Sequence, residues 1–170
     1  GDDTLVAGLG AATMRGGAGK DMIFGGDADD IIFGDAGEDT IDGGRGDDDI
    51  DGGEGADQIR GGRGDDLLDG GSGDFDDLLA GQRGADTLYG REGDDTLIGG
   101  DNDDVIEGGT GDDTIYGDNA PILGGEFSGD DFALDGRDVI AGGEGDDNIY
   151  GGGRNDSIHG DAGDDFIEGG

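Results

Sequence analysis

A nine-residue repeat occupies almost the whole of this 170-residue chain and constrains its fold more than any other feature. Written from Gly16, consecutive lines read GGAGKDMIF, GGDADDIIF, GDAGEDTID and GGRGDDDID. The consensus is G-G-x-G-x-D-x-U-x, where U is a large apolar residue. Seventeen copies can be counted, two of them with insertions. Self-similarity at a short fixed period predicts a solenoid in which each copy stacks on a neighbour.

Two columns of the repeat carry the structural argument. The eighth position is apolar in all seventeen copies, and the sixth is Asp in sixteen, with Ala12 as the exception. Glycines at the first, second and fourth positions suit turn conformations with positive φ, and the x-U-x triplet is rich in strand-forming residues. We therefore expect parallel three-residue strands, two repeats per coil, and every U side chain in a thin core.

The composition indicates that this core is too small to stabilise the chain alone. There are 46 Asp and Glu against 9 Lys and Arg, giving a formal charge of −37, while Leu, Ile, Val and Phe make up about 19% of the residues. A chain so charged and so poor in large apolar residues is expected to be disordered. A disordered tail, however, would not be expected to have an apolar residue at the eighth position of every repeat. The repeat therefore favours a fold that bound cations stabilise.

The same composition excludes several classes of function. The chain has no Cys, and therefore no disulfide and no thiolate zinc site. No apolar run approaches the ~18 residues of a membrane span, and so acidic a surface repels nucleic acid. The motifs of metalloproteases, serine hydrolases and phosphate-binding loops do not occur. With His159 at an outward ninth position, no catalytic site is expected within this chain.

A hard divalent cation is the small partner that these residues favour. Ca²⁺ takes 6–8 oxygen ligands from carboxylates and carbonyls, and one turn of the repeat offers a single well-placed carboxylate. Two stacked turns supply enough oxygens, so metal binding and coil stacking become one event. Mg²⁺ demands stricter octahedral geometry, and zinc lacks its preferred ligands. Seventeen turns in two columns leave fifteen gaps, so we expect about a dozen Ca²⁺ and at most about fifteen.

Over essentially the whole chain these repeats resemble the RTX (repeats-in-toxin) family of Gram-negative bacteria. The resemblance implies an all-β fold, a right-handed parallel β-roll with two repeats per coil, in which Ca²⁺ lies between the turns of successive coils. The carboxylate ligands that it implies are Asp21, Asp30, Asp39, Asp48, Asp57, Asp66, Asp77, Asp86, Asp95, Asp104, Asp113, Asp138, Asp147, Asp156 and Asp165. The backbone carbonyl ligands that it implies are those of Gly17, Gly19, Gly26, Gly44, Gly46, Gly53, Gly55, Gly62, Gly64, Gly109, Gly111, Gly143 and Gly145.

The resemblance also implies a biological setting. It indicates a calcium-binding structural module of a secreted protein, exported by type I secretion machinery, disordered without calcium and folding outside the cell or at its surface. Two alternatives stay open. The chain could be a surface-binding segment of an RTX adhesin, or the C-terminal module of a secreted protease, lipase or epimerase whose catalytic domain lies elsewhere. As a fragment it is expected to be monomeric.

Three copies depart from Gly at the fourth position. Ala28, Asn102 and Arg154 stand there. Asn tolerates the left-handed conformation, whereas Ala and Arg are disfavoured in it by about 1–2 kcal/mol. The turns that begin at Gly25 and Gly151 are therefore expected to be weaker sites.

Two copies carry extra residues. The copy over Gly70–Ala80 is two residues longer than the nine-residue unit and predicts a bulged turn. The insertion around 118–135 is expected to protrude as a loop from a single β-roll spanning 1–170, with a degraded extra coil as the alternative. Because the chain begins and stops within a repeat, we expect it to be an excerpt of a longer secreted protein.

Overall fold

The computed structural model describes residues 1–118 and 136–170, and in these residues all regular structure is β-strand. Every strand pair is parallel. The seventeen strands are β1 Thr4–Val6, β2 Thr13–Ala18, β3 Met22–Gly26, β4 Ile31–Ala36, β5 Thr40–Arg45, β6 Asp49–Glu54, β7 Gln58–Arg63, β8 Leu67–Ser72, β9 Leu78–Arg83, β10 Thr87–Glu92, β11 Thr96–Asp101, β12 Val105–Thr110, β13 Thr114–Tyr116, β14 Val139–Glu144, β15 Asn148–Tyr150, β16 Ser157–Ala162 and β17 Phe166–Glu168. No helix in the described ranges could cross a membrane.

The strands alternate between two parallel sheets. Odd-numbered strands form a nine-stranded sheet in the order β1-β3-β5-β7-β9-β11-β13-β15-β17, and even-numbered strands form an eight-stranded sheet from β2 to β16. Neighbours within a sheet are two repeats apart, as in the pairing of Ile23 with Ile41. The prediction of a parallel β-roll with two repeats per coil is confirmed.

The strands are longer than the three-residue triplets that the sequence predicted. Most run for six residues, from the seventh position of one repeat to the third position of the next, as in β5 and β6. The pairing continues through the glycines, since Gly44 lies opposite Gly62 in the ladder. The Gly-Gly pair is therefore part of the sheet, and only the fourth to sixth positions form the turn.

The core consists of the eighth-position side chains of the two sheets. It is thin, because each strand contributes one large apolar residue. The buried members are Met14, Ile23, Ile32, Ile41, Ile50, Ile59, Leu68, Leu79, Leu88, Leu97, Ile106, Ile115, Ile140 and Ile149. At the C-terminal end the column reaches solvent, and Ile167 is 46% exposed.

Both insertions leave the stacking register intact. In the copy over Gly70–Ala80 the two extra residues lie in a turn. The Phe75 N–H there donates to the Gly73 carbonyl oxygen, with 2.9 Å between nitrogen and oxygen. The strand then resumes with Leu78 opposite Gln58, so the predicted bulged turn is confirmed. At the larger insertion β14 pairs directly with β12. The prediction of a loop or an extra coil there falls on residues 119–135, which lie outside the described residues.

Candidate calcium sites between stacked turns

The sixth-position Asp residues form a continuous hydrogen-bonded ladder along each column of turns. The Oδ1 atom of each accepts the backbone N–H of the sixth residue in the preceding coil. Asp39 Oδ1 accepts from Asp21 at 2.7 Å, and Asp57 Oδ1 accepts from Asp39 at 2.7 Å. Where the carboxylate is missing, the Ala12 N–H still donates to Asp30 Oδ1. One oxygen of each carboxylate is thus used to join coils.

The second carboxylate oxygen, Oδ2, is buried and without a hydrogen-bond partner in thirteen of these residues. An unpaired buried charge is strongly unfavourable unless a counter-charge or donors reach it. An orphan of this kind is rare in a folded protein, and here it recurs in copy after copy. The residues are Asp21, Asp30, Asp39, Asp48, Asp57, Asp66, Asp86, Asp95, Asp104, Asp113, Asp138, Asp147 and Asp156.

The space that Oδ2 faces is lined by oxygens from two successive coils. A Cβ atom built on Gly16 would lie 2.5 Å from Asp21 Oδ2 and 2.7 Å from the carbonyl oxygen of Gly34 in the next coil. The same arrangement recurs around Gly52, with Asp57 Oδ2 at 2.5 Å and the Gly70 carbonyl at 2.6 Å. Carboxylate and carbonyl oxygens are the donor set that Ca²⁺ takes in proteins.

First-position glycines therefore line the candidate site. The reason that the sequence analysis gave for glycine at this position was wrong. We predicted positive φ at the first, second and fourth positions, but Gly16 and Gly34 are not among the residues with positive φ. They are glycine because a Cβ atom would collide with the carboxylate. The repeat itself contains the signal: the copy that has Ala12 in place of Asp also has Ala7 in place of the first Gly.

Most second- and fourth-position glycines have positive φ, as predicted. The exceptions among the described residues are Gly8, Gly10 and Gly136. All thirteen glycines whose carbonyls the sequence proposed as ligands have φ between 103° and 140°. Second-position carbonyls face the next coil, so that a Cβ on Gly44 would collide with the Gly26 carbonyl oxygen and one on Gly62 with that of Gly44. Whether these carbonyls bind the ion stays a prediction, whereas the first-position carbonyls that flank Oδ2 were missed.

The protonation of the carboxylates reflects the same environment. Burial is the main cause that raises the pKa of Asp48 to about 6, Asp57 to about 7 and Asp104 to about 9. The N–H bond from the preceding coil opposes this shift, and neighbouring carboxylates add to it. These side chains need a proton or a cation to remain buried at neutral pH.

A cation between two turns would depend on backbone oxygens, because too few carboxylates lie close together to bind it alone. Among residues 1–118 and 136–170 there is no group of three or more His, Cys, Asp or Glu side chains placed to hold a metal. This agrees with one inward carboxylate per turn. A complete shell of 6–8 oxygens would then draw mainly on main-chain carbonyls.

A second Asp ladder, at the fifth position, was missed by the sequence argument. The Asp47 N–H donates to Asp29 Oδ1 at 3.0 Å, and the Asp65 N–H donates to Asp47 Oδ1 at 2.9 Å. These bonds run in the opposite direction to those of the sixth position, and the side chains are exposed. The repeated Asp-Asp pairs were the available signal. One member of each pair faces the neighbouring turn, and the other caps the backbone at the surface.

The fourth-position departures fall into two groups. Asn102 and Arg154 adopt the left-handed conformation, with φ of 84° and 69°. Ala28 does not have positive φ, so the prediction that it would be placed there is wrong. The methyl group disfavours that conformation, and the turn takes another path. Its neighbour Asp30 still keeps an unpartnered Oδ2.

The family described as RTX calcium-binding nonapeptide repeat matches residues 1–29, 15–50, 24–59, 42–74, 72–106, 98–120, 132–153 and 142–170. The chain belongs to this RTX family. Together the matches cover residues 1–120 and 132–170, which include all of the described strands. A comparison with curated proteins finds no match.

Membership of the RTX family agrees with the geometry of the turns. The repeats bind calcium, and the inter-turn space offers carboxylate and carbonyl oxygens from adjacent coils. The chain is accordingly a calcium-binding repeat module. The residues matched stop at 120 and resume at 132, so most of the large insertion lies outside the repeat family as well as outside the described structure.

Proposed function

We propose that this RTX module is a calcium-dependent folding unit of a secreted bacterial protein. In this proposal it is disordered while calcium is low, passes through type I secretion machinery unfolded, and folds outside the cell or at its surface. The observation that carries the proposal is the set of thirteen buried, unpartnered Oδ2 atoms along the two columns of turns. Ionised carboxylates in this environment are tolerable only when bound cations neutralise them.

In this proposal each ion is bound by two stacked turns. The fifteen sixth-position Asp residues from Asp21 to Asp165 supply the charge, and carbonyls of first-, second- and fourth-position residues supply the remaining oxygens. The Gly16 turn illustrates this arrangement, since Asp21 and Gly34 approach it from two coils. About a dozen ions, and at most about fifteen, would fill the gaps between turns.

Charge explains why binding and folding would be coupled. Fifteen Ca²⁺ would change the formal charge from −37 to −7. The apolar core is one side chain wide per strand and cannot by itself offset the repulsion or the entropy of ordering 46 glycines. Metal binding free energy thus becomes folding free energy. An affinity in the ~10⁻⁴–10⁻³ M range of extracellular modules would keep the chain unfolded inside the cell.

A structural role is favoured over the two alternatives. An adhesive face would need a regular row of like side chains on the outside of a sheet, and the seventh position of the nine-stranded sheet is too irregular for this. Its residues are Thr4, Met22, Thr40, Gln58, Leu78, Thr96, Thr114, Asn148 and Phe166. A catalytic activity of the host protein would have to come from residues outside this chain. We propose a monomeric, non-enzymatic module.

A far-ultraviolet circular dichroism titration tests this function. The chain is freed of metal with a chelator and titrated with CaCl₂ and, separately, with MgCl₂. We expect a cooperative gain of β-signal with Ca²⁺ at sub-millimolar to millimolar concentration, a much weaker response to Mg²⁺, and reversal on renewed chelation. A β-rich spectrum before any metal is added, or equal responses to the two ions, would refute the proposal.

A further inference from the structure

A groove lies on the outer face of the eight-stranded sheet. It crosses β4, β6, β8 and β10 and has a volume of about 450 Å³. Its floor lacks side chains because Gly53 and Gly71 occupy the second repeat position there. The residues around it are Phe33, Asp35, Asp51, Glu54, Asp69 and Arg91. The groove is large enough to admit a side chain from another molecule.

An arginine of the chain itself lies beside the Phe33 end of the groove. Arg15 Nη1 donates to Asp35 Oδ1 at 2.7 Å, and the Arg15 guanidinium carbon lies 3.9 Å from the centre of the Phe33 ring. Carboxylate pairing on the edge of the guanidinium and ring stacking on its face are the two interactions that arginine, and not lysine, can make together.

The other end repeats this arrangement with different residues. Arg91 Nε donates to Asp69 Oδ1 and Oδ2 at 2.9 and 3.1 Å, and Arg91 Nη2 also donates to Asp69 Oδ2. The Arg91 guanidinium carbon lies 4.7 Å from the centre of the Tyr89 ring. We call each arginine with its carboxylate and ring a clamp. Both clamps join neighbouring coils through the carboxylate, but Phe33 lies on the coil next to Arg15, whereas Tyr89 lies on the same strand as Arg91.

The coil between the two clamps has the carboxylate but no arginine. Asp51 lies between Phe33 and Asp69 in the strand ladder. No hydrogen bond or salt bridge from a described residue reaches its carboxylate, which is half-buried. Arg15 is near enough to interact with Asp51 electrostatically, but four carboxylates and one guanidinium line the groove, so its net charge is negative.

We propose that this groove is a docking site for an arginine side chain of a partner protein, with the partner's guanidinium on Asp51 and within reach of Glu54. Charge complementarity is the basis for this choice of partner. Four carboxylates line the groove, and the guanidinium groups of Arg15 and Arg91 balance part of their charge. No guanidinium group of the described residues is bonded to the central carboxylate, Asp51. A metal ion is a poorer occupant, since no three acidic side chains of the described residues converge there. The partner's surface would be arginine-bearing and poor in Asp and Glu.

The test uses the 170-residue chain folded in excess CaCl₂, with the acetylated and amidated peptide Gly-Arg-Gly-Arg-Gly as the probe. Nuclear magnetic resonance titration should shift the amides of Phe33, Gly53 and Gly71, and the peptide with Lys in place of Arg should bind several-fold more weakly. Asp51→Asn should weaken binding of the arginine peptide roughly tenfold, the loss expected for one charge-assisted pair.

Asp49→Asn is the matched control, because Asp49 lies on the same strand, is exposed, and loses the same charge. It should change affinity less than about twofold, as for an exposed ion pair. Circular dichroism with calcium checks that both variants fold with the unchanged midpoint, which separates this proposal from the folding proposal. If the peptide shifts amides along all turns, or if both variants weaken it equally, the attraction is a general effect of charge and the groove is not a site. Equal binding of the lysine peptide would overturn the choice of arginine.

Discussion

Asp57 Oδ2 lies 2.5 Å from the point that a Cβ atom would occupy on Gly52, five residues earlier in the same repeat. The carbonyl oxygen of Gly70, one coil further on, lies 2.6 Å from the same point. The missing methyl group thus leaves a space that two oxygens of different coils border. This relationship, repeated along both columns of turns, links the glycine content of the chain to its acidity.

Gly52→Ala is expected to weaken calcium-dependent folding. The added methyl group would press on Asp57 Oδ2 and the Gly70 carbonyl, and overpacking of this kind costs about 1–3 kcal/mol. The calcium midpoint by circular dichroism should rise, and the unfolding temperature in saturating calcium should fall. Gly8→Ala is the control, since nothing lies within 4 Å of a Cβ there. Equal effects of the two substitutions would show that the space beside Gly52 is not special.

The Ala7 copy should be convertible into a calcium site. It lacks both the carboxylate and the first-position Gly, having Ala12 and Ala7 instead. We expect Ala12→Asp combined with Ala7→Gly to bind one more Ca²⁺ than the parent chain, because the pair recreates the arrangement at Gly16 and Asp21. Ala12→Asp alone should gain no ion, since the Ala7 methyl group would occupy the space. Counting bound ions by native mass spectrometry distinguishes these outcomes, and a gain by the single variant would contradict the steric argument.

Sixth- and fifth-position carboxylates should respond differently to neutralisation. Asp113→Asn keeps the acceptor for the Asp95 N–H but replaces the buried, unpartnered Oδ2 with an amide nitrogen. The calcium affinity of that site should fall by about tenfold or more, given that loss of outer-shell partners alone costs about 10–100-fold. Asp104→Asn should act in the same way in the other column. Asp112→Asn, in the exposed ladder, is the matched control, and isothermal titration calorimetry with CaCl₂ should show little change for it.

Acid should partly replace calcium. The pKa values of Asp48, Asp57, Asp66 and Asp104 are raised by burial from 3.8 to about 6, 7, 8 and 9 in the folded chain. Because the folded state holds these protons more tightly than the unfolded state, the resulting stability is full below pH about 4 and is lost as the pH rises through about 6 to 9.

The metal-free chain should therefore gain β-signal between pH 8 and pH 4, measured by circular dichroism with no divalent ion present. With calcium, protons compete for the same oxygens, so the calcium midpoint should be higher at pH 6 than at pH 8. A metal-free chain that loses structure on acidification would contradict the direction of these pKa shifts.

The architecture was predictable because it follows from the nine-residue period of the sequence. Ile23 and Ile41 share a repeat position two copies apart, and the ladder pairs them directly. The apolar eighth position predicted the core, and the sixth-position Asp predicted where charge would collect. The extension of strands through Gly44 was missed because glycine is a poor strand former by itself. In a solenoid the next coil pairs its backbone and overrides that preference.

The direction of the hydrogen bonds between coils and the steric contacts of individual side chains could not be predicted from the repeat. Nothing in the Asp-Asp pairs indicated that the fifth-position carboxylate of Asp47 would accept from the next coil while the sixth-position carboxylate of Asp48 would accept from the preceding one. The conformation of Ala28 and the clamps of Arg15 and Arg91 were likewise outside the repeat. These depend on which atoms of neighbouring coils meet across one strand spacing.

By itself the sequence determined the period, the alternation of apolar and acidic columns, and the need for a counter-charge, because these follow from residue types at equal intervals. Only the tertiary structure decided which oxygen of Asp57 accepts a backbone N–H and which is left for a cation, and why Gly52 must be glycine. That division arises from contacts between residues eighteen or more positions apart. They exist only once the coils are stacked, which in the proposed function requires the charge to be neutralised.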